Sequence, residues 1–225
     1  MKPIRFVTSL ALAAVCMVPA IGQEGKLVSK GGVEYYEFPF GSVERKARWE
    51  TSEIPVCWEG PSPLAEGAFR AQVRQAVEET WERNSKLRFR GWGRCTAGEL
   101  GIHIRVADEN PHVKTLGRYL DGRPDGMVLN FTFKNFSPAC QTQVEFCNKA
   151  IAVHEFGHAI GFAHEQNRPD APAECRAESQ GTTGDWNVTE YDAYSVMNYC
   201  NPSWNGDGKL SPRDITTVQT LYGKP

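Results

Sequence analysis

Residues 154–170 read HEFGHAIGFAHEQNRPD and hold three of the chain's five histidines, with Gly161 between the second and the third. On an α-helix, side chains four apart lie on one face about 6 Å from each other. His154 and His158 can therefore aim two imidazole nitrogens at one point. His164 cannot join them on a continuing helix, because about 100° per residue would turn it roughly 80° from His154 and carry it roughly 9 Å past His158. The chain must leave the helix and fold back. Gly161 allows this, since glycine takes the left-handed conformation that ends helices without the penalty a Cβ brings.

Two ligands on a helix, a glycine turn and a third ligand beyond it supply three corners of a tetrahedral zinc site. The fourth corner is left for water, the layout of a catalytic rather than a structural metal. Glu155 follows the first ligand directly and lies beside the metal without needing to bind it. A carboxylate there can take a proton from metal-acidified water and pass it to a leaving amine. His154, His158 and His164 are thus the expected ligands of one Zn2+ per chain, and Glu155 is the expected general base. A competing arrangement takes a glutamate roughly twenty residues downstream as third ligand. Glu174 and Glu178 are near that distance, but they lie among Pro, Cys and Gly rather than on a helix.

Upstream of this helix, residues 148–162 in all, the chain has the periods of a mixed fold. Residues 48–60 (RWETSEIPVCWEG) alternate as a strand does, and residues 63–86 follow a helical period with Phe69, Val73, Ala76, Val77 and Trp81 on one face. Residues 87–92, 101–108 and 126–133 read as strands, with His103 expected on a strand surface and a weaker strand over residues 115–122 (TLGRYLDG). Downstream, residues 163–205 are rich in Pro, Gly, Asn, Asp and Ser with little period. So long an irregular stretch needs fixing by disulfides and a metal. The closing LSPRDITTVQTLYG has Ser211 as N-cap, Pro212 at the first helical position and Asp214 where a capping-box acid belongs. The expected fold class is α/β (α+β). Its N-terminal lobe has a twisted mixed sheet and two helices, its irregular C-terminal lobe has a terminal helix, and a zinc cleft lies between them.

The first 22 residues, MKPIRFVTSLALAAVCMVPAIG, have the basic start, apolar run and small-residue end of a secretory signal. Residues 23–48 are expected to be an N-terminal extension, a short pro-segment or simply the first strand and its lead-in, and residues 49–225 the main domain. Removing the signal removes Cys16 and leaves six cysteines. In an exported chain this number suggests up to three disulfides. Proximity along the chain suggests Cys57–Cys95, Cys140–Cys147 and Cys175–Cys200. A net charge of −2 and a pI near 6.2 call for neither nucleic acid nor an anionic membrane. A secreted monomer, free of the membrane once the signal is gone, is expected.

At these residues the sequence resembles the metzincin zinc endopeptidases, whose signature HExxHxxGxxH is matched in full. YSVMNYC, residues 194–200, looks like their Met-turn, with Met197 in the methionine position. Two details resemble the astacin branch: Glu165, Arg168 and Asp170 follow the third histidine, and Tyr199 stands two residues after the methionine. The resemblance implies hydrolysis of protein or peptide substrates, Glu165 as a structural anchor for a mature N-terminus, and Tyr199 as a zinc ligand or oxyanion stabiliser. It also implies an antiparallel edge strand above the cleft, with Leu116, Gly117, Arg118 and Tyr119 binding an extended substrate through main-chain hydrogen bonds. Specificity would come from a pocket beneath residues 194–199. The sequence departs from astacins at Asn198, where they have histidine, and at Ser42, where their pro-segments carry a zinc-plugging aspartate. The terminal helix looks more like that of matrix metalloproteinases. The alternative reading is a catalytically inactive extracellular binding module that keeps zinc for structure. Loss of the base would mark such a protein, and Glu155 is present.

Overall fold

The computed structural model describes residues 26–30, 33–37, 42–60 and 66–225. The signal expected over residues 1–22 lies outside the described residues. An antiparallel hairpin of β1 (Lys26–Lys30) and β2 (Val33–Glu37) comes first. β3 (Ser42–Val43) then pairs antiparallel with a strand far along the chain, Trp186–Asn187.

The main sheet runs β5–β4–β6–β8–β7. β4 (Glu53–Trp58), β5 (Arg88–Arg94), β6 (Ile102–Val106) and β8 (Arg123–Leu129) are parallel, and β7 (His112–Val113) is the antiparallel edge. The crossover from β4 to β5 contains α1 (Gly67–Val77), prolonged by a π-helical turn at Glu78–Glu82. The helical period seen in the sequence faces inward, since Val73, Ala76, Val77 and Trp81 are buried. α2 (Pro138–Gln141) leads into α3 (Val144–Ala159). From Cys147 onward every residue of α3 except Lys149 is buried. A helix enclosed on all sides belongs at the centre of a core. The Trp81 and Trp49 indoles donate to the α3 carbonyls of Val153 (2.9 Å) and Ala159 (2.8 Å), so both large side chains are buried with their polar atoms satisfied.

After α3 the chain is irregular, as expected. It makes a 3-10 turn at Glu165–Asn167, α4 (Ala173–Arg176), the short β9 (Trp186–Asn187), and a tight turn at Trp204–Gly208. α5 (Pro212–Tyr222) closes the fold with the capping box read from its sequence. The three disulfides are those expected: Cys57–Cys95, Cys140–Cys147 and Cys175–Cys200. Among the described residues no helix is long and apolar enough to cross a membrane.

Two expectations are corrected, and the placing of residues 42–48 is added. Residues 115–122 are not a strand: Leu116, Gly117, Arg118 and Tyr119 lead into and form a 3-10 helix, Gly117–Leu120, and the sheet edge lies earlier at His112–Val113. The reason is burial. Leu116 and Leu120 are both in the interior, and a strand would have placed Arg118 on the same face between them. Gly117 also turns at φ +52°, where a Cβ would lie 1.8 Å from the Ala47 carbonyl oxygen. Residues 42–48 pack onto the rest of the domain. Val43 and Ala47 are fully buried, and the Ser42 carbonyl accepts from the Ala163 amide. His103 is not on a surface: it is buried, with its ring nitrogens 2.8 Å from Glu59 Oε1 and 2.8 Å from the Glu99 carbonyl oxygen.

Candidate active site

α3 carries His154 and His158 one turn apart, and its end is set by Gly161. There the chain takes φ +100°, while a Cβ would meet nothing closer than 3.7 Å. Conformation rather than space therefore demands glycine at this position. The Gly161 and Phe162 amides donate back to the His158 and Gly157 carbonyls, closing the helix and returning the chain toward His164.

The return brings the imidazoles together. His164 Nε2 lies 3.1 Å from His158 Nε2 and 3.3 Å from His154 Nε2. Each Nδ1 is committed to a backbone carbonyl, at Val196, Phe162 and Gln180 for His154, His158 and His164. Carbonyls only accept, so each Nδ1 carries the proton and each Nε2 presents a lone pair. The three Nε2 contacts therefore lack any hydrogen to share. Burial holds all three rings below the usual histidine range, His154 to about 3, which keeps them neutral. Three buried lone pairs converging on one point fit a cation, and nitrogen donors in this number suit zinc.

Glu155 opens on the same cleft, of about 680 Å3. Its Oε2 is buried without a hydrogen-bond partner among the described residues, and burial pushes the carboxyl up to about 8. The ring of Tyr199 stacks on that of His154 and lies tilted against that of His164, with centroids 5.5 Å and 4.5 Å away, while nearly half its surface stays exposed. Burial first, and Glu155 second, raise its phenol to about 12.

Met197 is buried against α3, and its position depends on a residue the sequence reading passed over. A Cβ on Gly157 would lie 2.3 Å from the Met197 sulfur and 3.1 Å from the Trp81 ring. A second missed residue is Asp214. Beyond capping α5, its carboxylate accepts from Ser195 Oγ (2.7 Å) and from the Val196 and Ser211 amides (2.9 and 3.0 Å). Since the Val196 carbonyl holds His154, Asp214 fixes the turn that orients this imidazole. Burial lifts its carboxyl to about 6 against the pull of those hydrogen bonds.

Glu165 is buried. It accepts from the Asp192 amide, lies 3.4 Å from the guanidinium of the fully buried Arg168, and its own amide donates to the Met197 carbonyl. Asn198 is wholly buried and bridges the Asp192 carbonyl and the Tyr191 hydroxyl with its amide nitrogen. Leu116 lines the cleft, whereas Gly117, Arg118 and Tyr119 do not. Apart from the pattern that marks HEFGH itself, no signal in the sequence points to Gly157. Asp214 was visible only as a cap.

The profile of the astacin peptidase family matches residues 136–181, the stretch from α2 past His164. Protein SpAN of Strongylocentrotus purpuratus is 27% identical over 201 residues, 79% of this chain and 29% of that protein. Zinc metalloproteinase nas-3 of Caenorhabditis elegans is 31% identical over 120 residues, 47% of this chain and 37% of its own length. The chain thus spans about a third of the curated relatives it matches. Among solved structures, myroilysin superposes with a TM-score of 0.56 at 19% identity, covering 82% of this chain and all of that one. Its likeness lies in the fold. The matched segment, the fold and the histidine geometry agree in likening the chain to the astacin-type zinc peptidases.

Proposed function

We propose that the chain is a secreted zinc endopeptidase acting on protein or peptide substrates. The observation that carries this reading is the unpartnered, buried Glu155 carboxylate opening on the same cleft as three converging imidazole nitrogens. His154, His158 and His164 would hold one zinc ion, which when bound acidifies water and polarises a carbonyl. Glu155 takes a proton from the water that adds to the scissile carbonyl, and delivers it to the nitrogen as the carbon–nitrogen bond breaks. With a cation held by the histidines, the Glu155 carboxyl would shift toward the ionised form this role needs. Tyr199 keeps its proton at neutral pH and donates a hydrogen bond to the oxygen that gains charge. Met197 supports the ligand face from below, Glu165 anchors the turn, and Gly161 lets the third ligand return.

The relatives' names lend no support to a binding-only module. Signal cleavage near residue 22 would release a chain whose packed domain begins by Ser42. Three disulfides suit an oxidising, extracellular setting, and the chain is taken to act as a monomer.

The test is cleavage of quenched casein by the zinc-loaded chain beside Glu155→Ala. Wild-type turnover that a chelator stops and zinc restores is expected, with a loss of about 10²–10⁴-fold in the variant. Zinc content should stay equal. Equal activity in the two proteins would remove Glu155 from the chemistry. Tyr199→Phe is expected to lower kcat by about tenfold with KM little changed, and an unaltered kcat would remove Tyr199.

A further inference from the structure

We propose that the cleft selects a bulky apolar side chain, aromatic or leucine-like, on the residue beside the scissile bond, seated on Ile151 between Phe136 and Trp204. The inference rests on the peptidase reading and adds the substrate class.

Position comes first. Ile151 lies four residues before Glu155 on α3, so the two share a face about 6 Å apart. Neighbouring Cα atoms of a peptide are about 3.8 Å apart. A substrate whose carbonyl is served by Glu155 therefore brings the side chain of an adjacent residue over Ile151. Ile151 and Phe136 line the cleft there, from the core and from the loop before α2.

Trp204 forms the far side. It is 42% exposed, with its ring 6.1 Å from that of Phe146, itself 38% exposed on the first turns of α3. A tryptophan left open beside a reactive carboxylate is apolar surface that a substrate side chain can cover. The backbone there is built for the purpose. Four consecutive residues, Asn205 to Gly208, have φ between +45° and +66°, and two of them are not glycine. Gly208 packs so closely on α3 that a Cβ would lie 3.1 Å from the Ala150 Cα. This left-handed turn holds Trp204 and Asn205 against the helix, and Asn205, though buried, still lines the cleft. Strain of this kind persists where surrounding structure enforces it, commonly at binding sites.

Charge excludes the other side chains. Besides the histidines and Tyr199, whose phenol stays neutral, the only ionisable groups lining the cleft among the described residues are Glu155 and Lys114. Lys114 lies just beyond β7 at the sheet edge and donates to the Pro124 carbonyl. A carboxylate or ammonium placed over Ile151 would lose water and meet Phe136 and Trp204 rather than a counter-ion.

The experiment uses the full zinc-loaded chain. A casein digest is mapped by mass spectrometry to locate the cuts, followed by quenched peptides that differ only at the selected position. Phe or Leu is expected to exceed Ala in kcat/KM by about tenfold, and Asp or Lys by more. Trp204→Ala should compress the Phe-to-Ala ratio to less than about threefold, and Trp204→Phe should retain most of it. If Trp204→Ala does not fold, the wild-type series and Trp204→Phe still decide. Cleavage with no preference, or with Asp preferred through Lys114, would overturn the inference and leave the peptidase reading standing. No cleavage of any peptide would remove both.

Discussion

In the sheet lobe the buried side chains include Ile54, Ile102, Ile104, Val73 and Trp81. In the segment between α3 and α5 they include Glu165, Gln166, Arg168, Asp192, Ser195 and Asn198. The first region is held by area removed from water, which is non-directional and shared among many neighbours. The second is held by hydrogen bonds, each with one donor and one acceptor in a fixed place. Asp192 accepts from the Tyr194 amide and the Ser211 hydroxyl, Asp214 clamps the Met197 turn, and Arg168 makes a paired contact with Asp170. An apolar core can support a site from behind. A polar scaffold can set its ligands to a fraction of an ångström, and single atoms matter correspondingly more.

Substitutions in the two regions should therefore fail differently. The largest loss of stability is expected for Trp81→Ala, about 3–5 kcal/mol by urea unfolding, since a wholly buried indole and its bond to Val153 both go. Asp214→Ala removes the acceptor for three donors and should cost about 2–4 kcal/mol. Unlike Trp81→Ala, it should also lower zinc affinity by about tenfold or more in chelator competition, because the Val196 turn loosens around His154. Unchanged zinc affinity, with stability lost as for Trp81→Ala, would mean that the two regions behave as one unit. Gly157→Ala sharpens the comparison at the seam. Its methyl would press on Met197 from one region and Trp81 from the other, at an expected cost of about 1–3 kcal/mol with weaker zinc binding.

The smallest effect is a pH slope. The Asp214 carboxyl rises from an ordinary 3.8 to about 6 in the fold. The folded state thus holds this proton more tightly than the unfolded chain does. Its contribution to stability is full below about pH 4 and fades as the pH climbs through about 6. Urea titrations across this range should show wild type losing stability relative to Asp214→Asn as pH rises. Parallel curves would show that the slope comes from other groups.

The zinc motif was legible because its spacing is local: one helical turn and one glycine dictate where three histidines point. The strand and helix periods before it were legible for the same reason, as were the cap of α5 and the three disulfides joined by proximity. Residues 115–122 were misread because Leu116 and Leu120 suit two periods, and only contact with Ala47 selects the helical one. Residues 42–48 read as an appendage because their partners, Phe162, Ala163 and Trp186, lie more than a hundred residues away.

The sequence by itself determined the grouping of His154, His158 and His164, the carboxylate of Glu155 beside them and the mixed order of strands and helices, since each follows from spacing along the chain. Tertiary structure alone decided that Asp214 reaches the Met197 turn, that Gly157 must leave room for a sulfur, and that Ile151, Phe136 and Trp204 share one cleft. Those relations join segments distant in sequence, and no local period encodes which distant side chain will fill the space beside a given backbone.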